Sequence, residues 1–253
     1  MSRSAAVAWT RAAWVAGSVL LLELLCRTGI ISHLTVIPPS EMLAALLALL
    51  MSGQILADIA GTFTTVGVAF VAAVLAGFGA GALIHAAPRL RRALDPLLAS
   101  YYAIPTFVFY PLLVAIFGLG LLPLMAIGFI FATPAMVIST LIGLDRVAPV
   151  LRRVARMHRL SGLQTVRHII LPAAMPYLFN GVKLALAYAF IGVIAGEFIL
   201  SGGGLGYAIA YAYESFDNRT MYALMLFVLV VAAVMNGALY AWEAHLLRRR
   251  QRQ

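Results

Sequence analysis

The chain has 253 residues, 63% of them hydrophobic and only 11% charged, with a formal net charge of +9. A soluble domain carries about 25% charged residues because its exterior must be hydrated, so this composition excludes a water-facing globular protein and points to a bilayer. At roughly 20 residues per crossing helix, six spans use about half the chain and leave no room for a large extramembrane domain.

Apolar segments near 12–31, 62–86, 97–117, 122–143, 181–200 and 220–243 are expected to be spanning helices, because a backbone in lipid must satisfy its own polar groups. Of the 18 basic residues, sixteen fall before the first segment, between the second and third, in one central stretch, or at the C-terminus. Only Arg27 and Arg219 fall on the other side. The positive-inside rule makes the sixteen cytoplasmic, and their confinement to a membrane rim excludes a nucleic-acid-binding face. The expected architecture is an all-α polytopic membrane protein of about six transmembrane helices with both termini cytoplasmic.

Arg3 and Arg11 precede the first apolar run, and no small-x-small cleavage site follows Leu25, so a retained helix is expected rather than a cleaved signal peptide. The single cysteine, Cys26, excludes a disulfide framework and a multi-cysteine metal site. Pro38 and Pro39 can start a short helix over 40–51, too short to cross and expected at the interface. Residues 1–61 thus form an N-terminal span with an outer interfacial segment, ahead of a core over 62–253. In the second span Gly77 and Gly81 make a small-xxx-small pair suited to close helix contact. The third begins SYYAIPTFVFYP, where Pro105 and Pro111 interrupt the helix, and Tyr101, Tyr102 and Tyr110 either line a path or anchor the interface. FGLGLLP, with Gly118, Gly120 and Pro123, is a tight turn into the fourth span. There Thr133, Pro134, Met136 and Ser139 either line a cavity or make polar helix contacts.

The stretch 144–181 is too charged to span and too long for a turn. On a helical wheel Arg152, Arg156 and Arg159 share one face, while Leu151, Val154, Met157 and His158 lie opposite. Ser161 and Gly162 break that helix, and Pro172 and Pro176 restart the chain for the fifth span. An amphipathic helix of this kind either lies on anionic headgroups or docks a cytosolic partner. Among ionisable groups inside spans, Glu197 stands near the outer end of the fifth, followed by SGGGLGY, and such a group is normally paired or facing water. Glu23 and Glu243, in the terminal spans, are accounted for by snorkelling or pairing. Asp217 and Asn218 occupy the last outer loop.

The order of IPPS (37–40), LRRALDPLL (90–98), FGLG (117–120), ILPAAMP (170–176), Glu197 and GLGY (204–207) resembles permeases of the nitrate, sulfonate and taurine group of ABC importers. The resemblance runs from about residue 36 to the C-terminus. It implies a six-span permease subunit of the bacterial inner membrane, working as a dimer, with a cytoplasmic coupling helix in the loop 144–180 seated on an ATPase dimer. It also implies a periplasmic binding protein that delivers the solute. ATP and Mg belong to the ATPase: this chain has no G-x-x-x-x-G-K-[ST] loop, and its one lysine, Lys183, follows a single glycine. It is a transport subunit and not an enzyme.

The coupling segment implied comprises Arg153, Arg156, Met157, His158, Arg159, Leu160, Ser161, Gly162, Leu163, Gln164 and Thr165; the path or gate comprises Glu197, Tyr110, Met136, Ser139 and Ser201. One departure stands out. Counted back from Leu171 and Pro172, the family's Glu-Ala-Ala falls on Arg153, Val154 and Ala155, and its glycine on Arg159. The solute implied is of nitrate, sulfonate or taurine type, with a thiamine-pyrimidine-like precursor as the alternative. An ion-coupled secondary transporter would need coupling carboxylates near the midplane, and a membrane enzyme would need clustered acid–base groups, whereas the five histidines are scattered.

Overall fold

The computed structural model describes residues 3–250, and every regular element among them is helical. In order these are α1 (Arg3–Arg27), α2 (Pro39–Ser52), α3 (Leu56–Ala86), α4 (Pro88–Ser100), α5 (Tyr110–Phe117), α6 (Leu121–Asp145), α7 (Pro149–Met157), α8 (Gly162–Thr165), α9 (Leu171–Leu200), α10 (Leu205–Glu214) and α11 (Asn218–Arg250). Among the described residues, four helical stretches are long and apolar enough to cross a membrane: α3, α6, Gly162–Ile199 and Asn218–Glu243.

The first expected span is the helix α1, and Glu23 on it is paired. Its carboxylate accepts from Arg27 Nε at 2.6 Å, from the Ser40 backbone N–H at 3.0 Å and from the Ser40 hydroxyl at 2.7 Å, tying α1 to the first turn of α2. Pro39 opens α2 as expected, since a first-turn residue needs no N–H partner and its φ is already helical. Gly53, at φ +73, closes α2 in the left-handed conformation that a side chain resists.

The third expected span is not one helix. α4 stops at Ser100, two short 3-10 turns over Tyr101–Ala103 and Thr106–Phe109 flank an extended Ile104, and α5 has only eight residues. Pro105 drives the residue before it out of the helical region, while Pro111 sits in the first turn of α5, where its missing N–H is harmless. Eight residues rise about 12 Å, so α5 and the turn through Gly118 and Gly120 form the short arm of a hairpin with α6. Tyr101 is not a free anchor, because its hydroxyl donates to the Ile130 carbonyl at 2.7 Å. The side chains of Tyr102 and of the C-terminal arginines from Arg248 lie outside the described residues.

α6 is the hub, packed most extensively against α9 on one side and α3 on the other. The α3 contact depends on the expected glycine pair. A Cβ on Gly77 would stand 2.7 Å from Met136 Cβ, and one on Gly81 2.7 Å from Thr140 Cβ, so only hydrogen at these positions lets the backbones approach. Large apolar side chains such as Leu75, Leu83, Leu229 and Val234 are exposed on the opposite faces of α3 and α11, as lipid-facing residues are. Glu243 is paired too, accepting from Lys183 Nζ at 2.6 Å and joining α11 to α9.

The fifth expected span is longer than its hydropathy. Helix runs on from Gly162 to Ile199 through Pro172 and Pro176, which do not restart the chain. A π-helical turn over Val166–Ile170, where the Leu171 N–H reaches back to the Val166 carbonyl, loosens the helix just where the first proline ring must fit.

Candidate functional site

The two ends of α6 carry different chemistry. At its C-terminal end the chain turns into α7, started by Pro149, and then into α8. The packed face of α7 is Ala155, buried, with half-buried Leu151, which joins the cluster of Met136, Val147, Ala174 and Leu178. Val154, Met157 and His158 do not share that face as the wheel implied; all three are exposed, Met157 at 82%. His158 and Arg159 lie past the end of α7, which stops at Met157, so a wheel drawn through them does not apply.

The end of α7 is a Schellman motif. Leu160 N–H donates to the Ala155 carbonyl and Arg159 N–H to the Arg156 carbonyl, each at 3.0 Å, and Arg159 adopts φ +52. The break therefore falls at Arg159 and not at Gly162, which has ordinary helical geometry as the first residue of α8. Ser161 starts that turn with a capping box: Gln164 N–H donates to Ser161 Oγ at 3.3 Å, and Gln164 Oε1 accepts from the Ser161 N–H at 2.9 Å. Ser161→Ala is expected to cost about 1 kcal/mol of local stability, read as faster hydrogen exchange at the Gln164 amide. Leu163 projects outward, Leu160 and Thr165 are half-buried, and Arg152, Arg153, Arg156 and Arg159 are all exposed.

At the other end of α6, the start of α10 meets the end of α9. A helix N-terminus leaves its first N–H groups without intrahelical partners and carries partial positive charge. Here three side chains from two other helices take them. Gly204 N–H donates to Asp58 Oδ1 at 2.8 Å, Leu205 N–H to Thr62 Oγ1 at 2.9 Å, and Gly206 N–H to Glu197 Oε2 at 2.9 Å. The Thr62 hydroxyl in turn donates to the Glu197 carboxylate, 2.8 Å from Oε1 and 2.9 Å from Oε2. Glu197 is 2% exposed and Thr62 fully buried. A Cβ on Gly204 would overlap that carboxylate, and one on Gly206 would overlap the Ile194 carbonyl, so the two glycines of GLGY are where another chain element passes at contact distance.

This clamp forms the floor of a cavity of about 810 Å³, lined among others by Asp58, Glu197, Ser201, Tyr207, Tyr211 and Glu214, with no Lys or Arg in its lining among the described residues. Ser201 shapes the rim, its hydroxyl donating to the Gly203 carbonyl at 2.9 Å. Of the path residues expected from sequence, Glu197 and Ser201 are brought together. Tyr110 is instead buried in a cluster with Leu113, Leu124 and Ile127, and Met136 and Ser139 pack against Gly181, where a Cβ would stand 2.6 Å from Ser139 Cβ. All three side chains are buried between helices. Thr133 turns inward on its own helix, donating to the Phe129 carbonyl. Sequence reasoning missed Thr62 and Asp58, which stand 135 residues or more before their partners in the clamp. The one signal available was a glutamate in an apolar segment seven residues ahead of the first glycine of GLGY. Asp217 and Asn218 are engaged within the chain. Asp217 accepts from the Thr220 N–H at the start of α11, and hydrogen bonds from Thr220 hold its carboxyl below the usual range; Asn218 Nδ2 donates to the Leu34 carbonyl.

Residues 69–252 match the family described as binding-protein-dependent transport system inner membrane component. The chain is 30% identical over 227 residues to the taurine transport system permease protein TauC of Escherichia coli, covering 86% of this chain and 81% of that one. It is 29% identical over 180 residues to the nitrate import permease protein NrtB of Leptolyngbya laminosa, covering 71% of this chain. That match spans 64% of the nitrate permease, slightly under two thirds of its length. The fold is similar to a chain of the MetNI methionine ABC transporter in an inward-facing conformation, with a TM-score of 0.65, 19% identity, and coverage of 77% of this chain and 97% of that one.

Proposed function

The chain belongs to the family of binding-protein-dependent transport system inner membrane components, a multi-pass membrane protein, and from that premise we propose that it is the permease subunit of an ATP-driven importer. One observation carries the proposal. The helix Gly162–Ile199 is continuous, about 57 Å long at 1.5 Å per residue, and joins the arginine-rich turn at one end to the Glu197 clamp at the other. A displacement of the turn is therefore delivered to the floor of the cavity by a single rod. In this reading the turn, from Arg153 to Thr165, faces the cytoplasm and rests on an ATPase dimer that holds ATP and Mg, and the cavity faces outward. ATPase closure moves the rod, and alternating access follows as the clamp and α10 shift together.

Two copies of the chain enclose the path, lipid surrounds them, and a periplasmic binding protein delivers the solute. Glu197 and Ser201 line or gate the path at its outer end. Phe216 lies beside that end, 89% exposed in a left-handed turn after α10, and offers the delivery protein an apolar contact.

Among nitrate, sulfonate and taurine-type solutes, the lining favours the last. Asp58, Glu197 and Glu214, with no facing cation among the described residues, oppose a bare anion, whereas an ammonium group beside a sulfonate meets both the carboxylates and the Tyr207 and Tyr211 rings. The test is reconstitution with the ATPase and binding protein encoded beside the gene, followed by ATPase activity across nitrate, alkanesulfonates, taurine and a thiamine-pyrimidine precursor. Stimulation by taurine above nitrate is expected. Equal or greater stimulation by nitrate overturns the substrate assignment, and uptake driven by an ion gradient with no ATPase overturns the importer itself.

A further inference from the structure

We infer that the α7–α8 turn is built for a partner whose docking groove is acidic, with Arg159 as the residue that selects it; the inference rests on the permease reading above. No Asp or Glu occurs between Asp145 and Glu197, and this stretch holds Arg146, Arg152, Arg153, Arg156, Arg159 and Arg167. All six are exposed, and among the described residues none of them forms an ion pair. By contrast Arg91, at the same end of the bundle, is held in a two-pronged pair with Asp145. The fold neutralises its structural arginine and leaves the turn's arginines without an acidic partner among the described residues, Arg152 alone of them donating to a backbone carbonyl, that of Leu144.

Arg159 carries a second observation. It occupies the left-handed position of the Schellman motif, at φ +52, where glycine is favoured because it has no Cβ to crowd the backbone. Nothing inside the chain compensates for the arginine there, since its side chain is exposed and unpaired among the described residues. Strain of this kind persists where the surroundings hold it and the residue serves a contact.

The charge alone would suit anionic lipid headgroups as well. The geometry separates the two. The Schellman motif on one side and the Ser161 capping box on the other fix the turn in one conformation, and Met157 and Leu163 project from it, 82% and 79% exposed. A fluid headgroup layer gains nothing from a cation held at one strained position, whereas a structured groove does. Its chemistry follows: carboxylates facing Arg153, Arg156 and Arg159, and apolar recesses for Met157 and Leu163. A bidentate guanidinium–carboxylate pair at Arg159 supplies direction as well as charge.

The test uses the full chain in bilayer discs of phosphatidylcholine with the ATPase encoded beside its gene. Arg159→Gly relieves the backbone, so its thermal midpoint is expected to equal or exceed that of the parent, while affinity for the ATPase falls tenfold or more. Arg159→Glu is expected to weaken association further, and to regain it with an ATPase whose groove carboxylate is changed to lysine. Association should weaken as salt rises. Unchanged ATPase affinity in Arg159→Gly overturns the inference. So does an affinity loss that appears only in discs containing anionic lipid, which assigns the turn to the membrane surface. Failure of the parent chain to bind the ATPase removes the permease reading instead, and is distinguishable from both.

Discussion

Glu197→Ala is expected to destabilise the protein by roughly 3 kcal/mol or more and to abolish solute-stimulated ATPase activity in the reconstituted system. Removing the carboxylate leaves the Gly206 N–H and the Thr62 hydroxyl buried without their acceptor, at about 1–3 kcal/mol each. It also strips the N-terminus of α10 of a counter-charge. Because Thr62 holds the Leu205 N–H, the loss spreads to a second capping bond. Glu197→Gln keeps an acceptor for Gly206 but puts an amide N–H₂ where Thr62 donated to a carboxylate oxygen, so an intermediate loss of about 1 kcal/mol is expected. Thermal unfolding in detergent orders the three proteins, and hydrogen exchange locates the effect. Opening confined to α10 and the end of α9 supports the clamp; an alanine variant as stable and protected as the parent sinks it. A residue that served only as a wall of the path would lower transport without moving either readout.

The same network shows what a sequence can and cannot reveal. That Glu197 lies in an apolar helix and must be satisfied follows from the cost of a carboxyl in lipid, so its importance was legible. How it is satisfied was not, because Thr62 and Asp58 come from another helix and no local pattern links them to it. Local signals did well where the physics is local: Pro39 starting α2, the glycines of FGLG, the small-residue pair of α3. They failed where two tendencies competed. Mean hydropathy over 97–117 outvoted Pro105, although the proline and not the average decides whether the backbone stays helical. In 144–181 the prolines were weighted as breaks, yet a π turn absorbed one and the helix ran through. The wheel for α7 likewise extended past a terminus that is set by an arginine in a conformation sequence rules assign to glycine. Three of the expected path residues are buried for a related reason. Tyr110, Met136 and Ser139 are the polar or soft groups one expects beside a channel, but small residues on neighbouring helices, Gly77, Gly181 and Gly196, bring backbones close enough to bury them.

Gly77→Ala and Gly81→Ala form the second large expected effect, with an internal control on the same helix. A methyl at Gly77 meets the Thr133 carbonyl at 2.8 Å as well as Met136 Cβ, and one at Gly81 meets the Val137 carbonyl at 3.0 Å, so backbone and not a flexible side-chain tip must yield. Overpacking of this kind costs about 1–3 kcal/mol per site, and the two act on one interface, so the double variant is expected to lose the α3–α6 contact and with it the folded bundle. Gly67 and Gly79 have nothing within 4 Å of the same added methyl, and alanine there is expected to leave the thermal midpoint unchanged or slightly raised, because alanine favours helix over glycine by about 1 kcal/mol. The contrast turns on position, since all four changes are chemically identical and lie on one helix. If Gly77→Ala and Gly79→Ala unfold alike, the approach of α3 to α6 is not set by these glycines. If they separate as expected, the small-residue stripe on α3 has one working face, and that face fixes the hub helix from which both the cavity and the arginine turn are hung.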